Sequence, residues 1–444
     1  MSLFRALAEG LGGIWARLAH RPLLQAVIAN TGWLMVDRVL RLLLGVLVGA
    51  WVARHLGPQR YGELAYVVAF LLMFQALGNL NLDGILVRDI SQMPERAPVL
   101  LGTALYLRLM ASFIAWGAAV LLVAILRPDD HQALLMIGIV GAGMVFQSAD
   151  IVDLWFQSQM HSRFTVLAKA IGYCLATCVK IALILTDAPL WSFALALLLD
   201  MALTASAMLF VYRIFPTKGA WQWSWPLARS MLWEVLPFWM TALAVSAYMR
   251  IDQVLLRELA GDSVLGIYSA VLPFSQAWNM LPITAYVSLL PALSTLRLEN
   301  PAKYRQRLQL IFSLFLWGGV AAAVVTMVFA QYGLHWILGN KYAGSVGVLQ
   351  VHALSNVFVF IGVAQGLDIV ANRTALLGLW KALAGLLTCV IGNSMLIPRY
   401  GAMGAAWTAV VSYAVSAMFV NAILSPKIFV MQIRAFFPFY AEKN

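Results

Sequence analysis

Residues 56–67 read LGPQRYGELAYV, and residues 260–271, which lie 204 positions further along the chain, read AGDSVLGIYSAV. The two stretches share glycines at the aligned positions 57 and 261, and again at 62 and 266. A third and shorter echo, YGAMGAAW, occupies residues 400–407. The repeat predicts a fold of two similar halves. Glycines that recur at helix starts for packing alone are the alternative explanation.

The composition predicts a membrane protein. Hydrophobic residues make up 62% of the 444 positions and charged residues only 11%, and the mean hydropathy is +0.83. A soluble domain carries about 25% charged residues. Apolar runs of about 18 residues or more recur along the chain, and each can cross a hydrocarbon core of ~30 Å as a helix. The fold class is therefore predicted to be an all-α polytopic membrane protein.

Apolar runs between charged residues, prolines and glycines predict twelve transmembrane helices. Those of the first half cover residues 30–54, 61–82, 100–126, 132–156, 165–186 and 189–212. Those of the second half cover residues 232–256, 264–293, 308–330, 346–369, 375–397 and 403–424. Six helices, an even number, separate the two copies of the repeat, so both halves cross the membrane in the same direction. We expect two pseudo-symmetric six-helix lobes around a central cavity.

The distribution of Lys and Arg predicts the orientation. With the amino terminus in the cytoplasm, 17 of the 30 basic residues fall in cytoplasmic segments, 6 on the opposite side and 7 inside spans. This asymmetry follows the positive-inside rule and predicts that both termini are cytoplasmic. The net charge of +11 is spread over separate loops, which argues against nucleic acid as a partner.

The spans set the predicted domain boundaries. Residues 1–29 form a cytoplasmic amphipathic tail, for which a plain flexible tail is the alternative. Residues 30–214 form the N-lobe, 215–231 a cytoplasmic linker, 232–424 the C-lobe and 425–444 a cytoplasmic tail. Every loop is short, so no extramembrane domain is predicted.

Charged residues inside spans indicate a protein-lined or water-filled cavity, because each costs roughly 2.5–3.5 kcal/mol at the bilayer centre. The first span contains Asp37, Arg38 and Arg41, and the seventh contains Arg250 and Asp252. Asp37 and Arg41 are four positions apart and can form an ion pair on one helix face. Both lobes thus begin with a charged helix, and we expect these arginines to face the cavity.

Several other spans carry polar residues whose role has two interpretations. Lys180, Lys381 and Asp368 are candidate cavity residues, although lysines also snorkel toward a membrane interface. The fourth span carries a polar stripe that would form a cytoplasmic mouth or an interfacial helix end. The stripe consists of Gln147, Asp150, Asp153 and Gln157.

Sequence motifs for catalysis and ATP binding are absent from the chain. No lysine follows a glycine, which excludes the phosphate-binding loop of ATPases, and neither HExxH nor GxSxG occurs. We therefore predict a transporter, not an enzyme, without a catalytic residue, metal site or cofactor. An H⁺ or Na⁺ gradient, or the gradient of the substrate itself, would drive transport.

Motifs along most of the chain resemble a known family. They are Arg38-x-x-Arg41 followed by WVAR at 51–54 and LGPQRYG at 56–62, LDGILVRD at 82–89, DLWFQSQ at 153–159, RIDQVLL at 250–256 and GIYSA at 266–270. Together they resemble the Wzx-type O-antigen flippases. These form the polysaccharide-biosynthesis branch of the multidrug/oligosaccharidyl-lipid/polysaccharide exporter superfamily. The related peptidoglycan-precursor flippases have more spans than the twelve predicted here.

The resemblance implies two six-helix lobes around a cavity that opens alternately to the cytoplasm and the periplasm. It implies a polyprenyl-diphosphate-linked oligosaccharide as substrate, a lipopolysaccharide precursor moved across the bacterial inner membrane. One arginine side chain can donate two parallel hydrogen bonds to phosphate oxygens. The candidate diphosphate contacts are therefore Arg38, Arg41 and Arg250, with Lys180 and Lys381 beside them. The candidates for charge balance or a coupling ion are Asp37, Asp83, Asp252 and Asp368.

Two other functions stay open on the sequence. A cation-coupled multidrug exporter of the same superfamily predicts a cavity rich in acidic and aromatic residues. A membrane-embedded polysaccharide polymerase or ligase requires a catalytic loop, which the short loops do not provide. For a flippase, the polysaccharide polymerase and the chain-length machinery are candidate partners beside the lipid bilayer.

Overall fold

The computed structural model describes residues 22–372 and 374–437, with side chains from residue 32 onward, and these form a bundle of long helices. The predicted amphipathic tail lies outside the described residues over 1–21. We number the main helices in chain order. They are α1 (Pro22–Asn79), α2 (Asp83–Gln92), α3 (Pro94–Leu126), α4 (His131–Ser158), α5 (Ser162–Leu185), α6 (Leu190–Ile214), α7 (Trp225–Ala260), α8 (Asp262–Glu299), α9 (Pro301–Tyr332), α10 (Ser345–Ala371), α11 (Ala375–Tyr400), α12 (Ala402–Leu424) and α13 (Pro426–Ala435).

The prediction of about twelve transmembrane helices is confirmed. Ten helices, α3 to α12, are long and apolar enough to cross a membrane. Each arm of the kinked helix α1, 22–56 and 58–79, is also long enough to cross a membrane. The described residues contain no β-strand. The chain is thus an all-α membrane protein, as its composition indicates.

The break expected between the first two spans lies at Gly57, where non-helical backbone separates the two arms of α1. Gly57 has φ 73° and ψ 171° in the middle of α1, and Pro58 follows it. Gly261, its counterpart in the repeat, has φ 86° and ψ 172° between α7 and α8. Positive φ favours glycine because it has no Cβ. The sequence repeat is therefore a repeat of backbone geometry.

The helices form two lobes, α1 to α6 and α7 to α12, as predicted. Within the N-lobe α1 packs against α3 and α5, and within the C-lobe α9 packs against α10 and α11 against α12. The main contact between the lobes joins the second arm of α1 to α8. Val67 and Val271, aligned residues of the repeat, are both fully buried in the core cluster that spans this contact.

Ion pairs reinforce one end of the contact between the lobes, which we call the Arg127 end. The Arg127 guanidinium, after α3, donates to both oxygens of Glu258, with Nε–Oε1 2.8 Å and Nη2–Oε2 2.6 Å. Arg257 donates to Asp130 at 2.8 Å and to Asp262 at 2.6 Å. Burial raises the pKa of Asp130, but the Ala133 N–H and the two guanidinium groups outweigh it and hold that pKa below its ordinary value.

Two segments outside the spans are helical, which the sequence analysis did not predict. Helix α2 follows the second arm of α1, and α13 follows α12 inside the tail predicted at 425–444. The chain between α6 and α7 packs against α3, where Gln222 N donates to the Pro98 carbonyl at 3.2 Å. Helix α7 then begins at Trp225, within the linker predicted at 215–231.

Candidate functional site

A cavity of about 300 Å³ lies between the two lobes. Helices α1, α5 and α6 of the N-lobe and helices α7 and α8 of the C-lobe line it. Its polar lining consists of Tyr61, Tyr173, Thr177, Lys180, Arg250, Gln253, Ser269 and Gln276. No carboxylate belongs to this lining, so its charged groups are the two cations.

Arg250 is the cation of the C-lobe wall. Helix α7 is interrupted at Met249 and Arg250, between the helical segments Trp225–Tyr248 and Ile251–Ala260. Arg250 lies at this break with φ −131°, half-buried at the cavity. Its guanidinium makes no hydrogen bond or ion pair with any other described residue. Irregular backbone at membrane depth is tolerated where it lines a cavity, and such breaks form substrate sites in transporters.

Lys180 is the cation of the N-lobe wall, and it has an acidic partner. Its Nζ lies 3.2 Å from Oδ2 of Asp200 on α6, and both side chains are mostly buried. Lys180 also lies over the Tyr173 ring, 5.6 Å from its centroid. Of the two cations in the lining, Arg250 is therefore the one that forms no ion pair with a described residue.

Arg41 and Asp37 lie at the edge of the cavity on the first arm of α1. Arg41 Nε donates to Asp37 at 3.0 Å, so the pair expected from the four-residue spacing forms. The Arg41 guanidinium also lies 5.0 Å from the Tyr173 centroid and donates to the Lys169 carbonyl at 3.3 Å. Tyr173 therefore lies between Arg41 and Lys180. Arg38 is exposed and makes no ion pair within the described part of the chain.

The polar stripe of α4 is connected to this group through Lys169 of α5. Lys169 Nζ lies 2.7 Å from Asp153 and 3.6 Å from Asp150. Asp153 is buried and also accepts from Thr165 at 2.5 Å and from Gln157 at 2.9 Å. Gln147 is bonded instead to Gln75 of α1. We call this end of the bundle, opposite the Arg127 end, the Asp153 end.

The remaining candidate residues lie away from the cavity lining. Asp83, at the start of α2, forms an ion pair with the buried Arg108 of α3. Asp252 is buried and accepts from the Tyr268 hydroxyl at 2.5 Å. Asp368 accepts from Tyr304 and from Asn372, each at 2.7 Å. Lys381 is buried in the C-lobe and donates to Gln365. No group of three or more metal-ligating side chains occurs among the described residues.

Four residues of this region were missed by the sequence analysis. Lys169 and Asp200 are charges inside predicted spans, so the rule that selected Lys180 could have found them. Gln253 and Ser269 are neutral, and only their positions inside the quoted motifs could have drawn attention to them.

The sequence profile of a family described as "Polysaccharide biosynthesis protein" matches residues 27–297. This range contains all the residues that line the cavity. No curated protein matches the sequence.

Several solved structures share the fold over most of their length. A chain described as the inward-facing conformation of a multidrug resistance MATE family transporter of the MOP superfamily is 15% identical, with a TM-score of 0.71 over 89% of this chain and 96% of that chain. Lipid II flippase MurJ in an inward closed conformation is 12% identical, with a TM-score of 0.70 over 94% of this chain and 93% of that chain. An outward-facing MATE family transporter is 16% identical, with a TM-score of 0.53 over 94% of this chain and 96% of that chain. The two-lobed fold is therefore the fold of these transporters.

Proposed function

This chain belongs to the polysaccharide biosynthesis protein family, as its motifs indicated, and from that premise we propose that it is a flippase for a lipid-linked saccharide. The cargo is a polyprenyl-diphosphate-linked oligosaccharide, such as an O-antigen repeat unit, and the membrane is the bacterial inner membrane. The observation that supports this function best is the position of Arg250, a cation that forms no ion pair with a described carboxylate, in a cavity between two lobes.

The charge of the cavity is suited to a diphosphate. A diphosphate that crosses the hydrocarbon layer must exchange its hydration for charge-assisted hydrogen bonds, since an unpaired buried charge is very costly. A guanidinium offers paired donors to phosphate oxygens. Arg250 supplies such donors at the centre, and Lys180 lies on the facing wall. A cation as cargo would meet repulsion from both.

Cargo would enter at the Asp153 end, which we assign to the cytoplasm. Arg38 is exposed there on α1, and Arg41 lies between it and the cavity. These residues would lead the anionic headgroup inward while the Arg127 end stays closed. Release on the periplasmic side requires the ion pairs of the Arg127 end to separate. An H⁺ or Na⁺ gradient is the proposed driving force, with Asp37, Asp83, Asp252 and Asp368 as candidate acceptors, and no catalytic step is involved.

The fold likeness to a multidrug transporter supports a second candidate, export of drugs coupled to a cation. Cationic drugs would require acidic groups in the cavity lining, and the lining contains Lys180 and Arg250 instead. We therefore rank this function second. Unchanged drug tolerance in a strain without the gene would exclude it.

The first experiment compares polyprenyl-linked lipids by mass spectrometry in a strain that lacks this gene and in the complemented strain. We expect a diphosphate-linked oligosaccharide to accumulate and to be cleared on complementation, together with restored surface polysaccharide. An unchanged lipid profile and unchanged polysaccharide in the deletion strain would contradict the flippase function.

Variants of Arg250 then test the diphosphate contact. In the deletion strain, transport by the Arg250→Ala variant should be at least tenfold slower than transport by the wild type, because a charged hydrogen bond contributes roughly 1.5–3 kcal/mol. Arg250→Lys, which keeps the charge but not the paired donors, should be intermediate. Arg399→Ala, at an exposed arginine outside the cavity lining, is the matched control. Full transport by an inserted Arg250→Ala protein would disprove the contact.

A further inference from the structure

Two neutral side chains that line the cavity together with Arg250 have polar atoms without a partner. Gln253 and Ser269 both line the central cavity, and they are only 4% and 6% exposed. Gln253 Nε2 and Ser269 Oγ are buried and make no hydrogen bond with any other described residue. Both belong to the C-lobe, on α7 and α8.

Buried polar atoms are normally hydrogen-bonded, so two orphans on one wall of a cavity call for an explanation. Other buried orphan atoms, such as Arg257 Nη1 and Asn393 Oδ1, belong to residues outside the cavity lining. An unpaired donor destabilises the protein, whereas a cargo that supplies the missing acceptor gains that interaction on binding. Each of these two cavity-lining side chains therefore has an unmet hydrogen bond.

No polar side chain of the N-lobe lining has a buried atom of this kind, although the Tyr61 and Thr177 hydroxyls also make no hydrogen bond with a described residue. The cation of this wall, Lys180, is paired with Asp200, and the Tyr173 hydroxyl donates to the Arg41 carbonyl at 3.4 Å. On the C-lobe wall, three groups make no hydrogen bond with another described residue. They are the Arg250 guanidinium, Gln253 Nε2 and Ser269 Oγ. Among the described lining residues, the buried atoms without a partner therefore lie on the C-lobe wall.

The arrangement of these three residues places a charged donor next to neutral ones. Gln253 follows Arg250 by three positions in the first turn of Ile251–Ala260, and its backbone N–H donates to the Arg250 carbonyl at 3.1 Å. A serine hydroxyl and a glutamine amide each both donate and accept. Sugar hydroxyls have the same capacity, and an apolar ligand would leave the donors unpaired.

We propose that Gln253 and Ser269 form a saccharide subsite on the C-lobe wall, which binds hydroxyl groups of the sugar attached to the phosphates held by Arg250. This subsite rests on the proposed function and adds where the uncharged part of the cargo is recognised. The cavity volume is at the lower end of the range for small-molecule sites. Recognition therefore extends over a short stretch of the cargo, next to its diphosphate.

Equilibrium binding by the full-length protein in lipid nanodiscs tests the subsite. The probes are undecaprenyl diphosphate without sugar and undecaprenyl diphosphate that carries one N-acetylglucosamine. The wild type should bind the glycosylated lipid about tenfold more tightly than the bare lipid, as expected for two neutral hydrogen bonds. The double variant Gln253→Met with Ser269→Ala should lose this preference and keep its affinity for the bare lipid.

Thermal stability separates a ligand subsite from a structural role. The double variant removes two unpaired polar groups, so it should unfold at the wild-type temperature or above. Ser275→Ala is the control on the same helix, because Ser275 is buried off the cavity and bonded to His352 at 3.0 Å. It should lower the unfolding temperature and leave the preference for the glycosylated lipid unchanged.

The outcomes distinguish the subsite from the function on which it rests. Equal affinity of the wild type for the two lipids, or a preference that survives in the double variant, overturns the subsite alone. An equal loss of affinity for both lipids in the double variant also overturns it, since the side chains would then serve the phosphates. Absence of binding to either lipid by the wild type overturns the flippase function as well.

Discussion

Gly62 and Gly266 occupy the same place in the two copies of the repeat, and each packs against the start of the other copy. A Cβ on Gly62 would lie 1.8 Å from the Asp262 carbonyl oxygen, and one on Gly266 would lie 1.9 Å from the Pro58 carbonyl oxygen. The contact is therefore reciprocal and joins backbone to backbone. The repeat that indicates two lobes is also the contact that holds them together.

Alanine at either glycine should weaken the contact between the lobes. Gly62→Ala and Gly266→Ala each introduce a methyl group where a carbonyl oxygen already lies, and such overpacking costs about 1–3 kcal/mol. We expect a lower unfolding temperature for the purified protein in detergent, and reduced surface polysaccharide in cells.

The control for this prediction is Gly117→Ala on α3, where nothing lies within 4 Å of the added Cβ. That variant should be as stable as the wild type, or more so, because alanine favours helix over glycine. Wild-type unfolding temperatures for both Gly62→Ala and Gly266→Ala would show that the helices can separate at this point without cost.

The ion pairs at the Arg127 end should favour the conformation in which the two lobes are in contact at that end. Arg127→Glu places two carboxylates opposite each other and removes a bidentate pair. An exposed pair contributes about 0.2–1 kcal/mol, so the population with separated lobes should rise by up to about fivefold. Spin labels on cysteines at the exposed positions 129 and 259, in a background without the three native cysteines, would report this as longer distances.

Charge exchange is the check on that interpretation. Arg127→Glu combined with Glu258→Arg restores opposite charges and should restore the wild-type distance distribution. Long distances that persist in the double exchange would mean that Arg127 acts through its other contacts, the ion pair with Asp130 at 3.4 Å or its packing over Tyr66, whose ring centroid lies 5.8 Å from its guanidinium carbon.

The fold was predictable because both of its determinants are local in the sequence. The length of the apolar runs predicts the helices. The glycines at 57 and 261 indicate the repeat, because a backbone position with positive φ favours glycine. The kink of α1 was expected as a break because a glycine followed by proline indicates an interruption.

The site was less predictable, because the sequence gives the depth of a residue and not the side of the helix on which it lies. Lys180 and Lys381 both lie within spans, but Lys180 lines the cavity and Lys381 is buried inside the C-lobe. The rotation of each helix is set by its neighbours. The partner of Lys180 was missed for the same reason, since Asp200 lies twenty residues further on and on another helix.

Removal of the Asp200 charge should strengthen binding of an anion in the cavity. Asp200→Asn leaves Lys180 without its carboxylate partner, so the ammonium can bind phosphate oxygens without competition. We expect undecaprenyl diphosphate to bind the variant on the order of tenfold more tightly in nanodiscs, and transport to slow because release is harder. Asp129→Asn, at an exposed loop position, is the control. Weaker binding by Asp200→Asn would show that the carboxylate positions Lys180 for the cargo.

Lys381 should be dispensable for stability although it is a buried charge. Its ammonium donates to Gln365 Oε1, and no carboxylate of the described residues lies within ion-pair distance of it. Gln365 Oε1 also accepts from Asn421 at 2.9 Å, so the acceptor stays satisfied when the lysine is removed. Replacing a buried ion by an apolar side chain of similar volume is often neutral or stabilising. Lys381→Met should therefore unfold at the wild-type temperature or a few degrees above it.

Gln365→Leu is the contrasting variant, because it leaves Lys381, Asn421 and Gln432 without a common acceptor in a fully buried cluster. Leaving buried donors without their acceptor costs roughly 1–3 kcal/mol, and more where the donor is charged, so this variant should unfold below the wild type. The same pair of variants tests the role that the sequence suggested for Lys381. If Lys381→Met is stable but fails to restore surface polysaccharide, the lysine acts in transport from inside the C-lobe, without contact with the cavity. If polysaccharide is restored, the cationic contribution to cargo binding is confined to the residues that line the cavity.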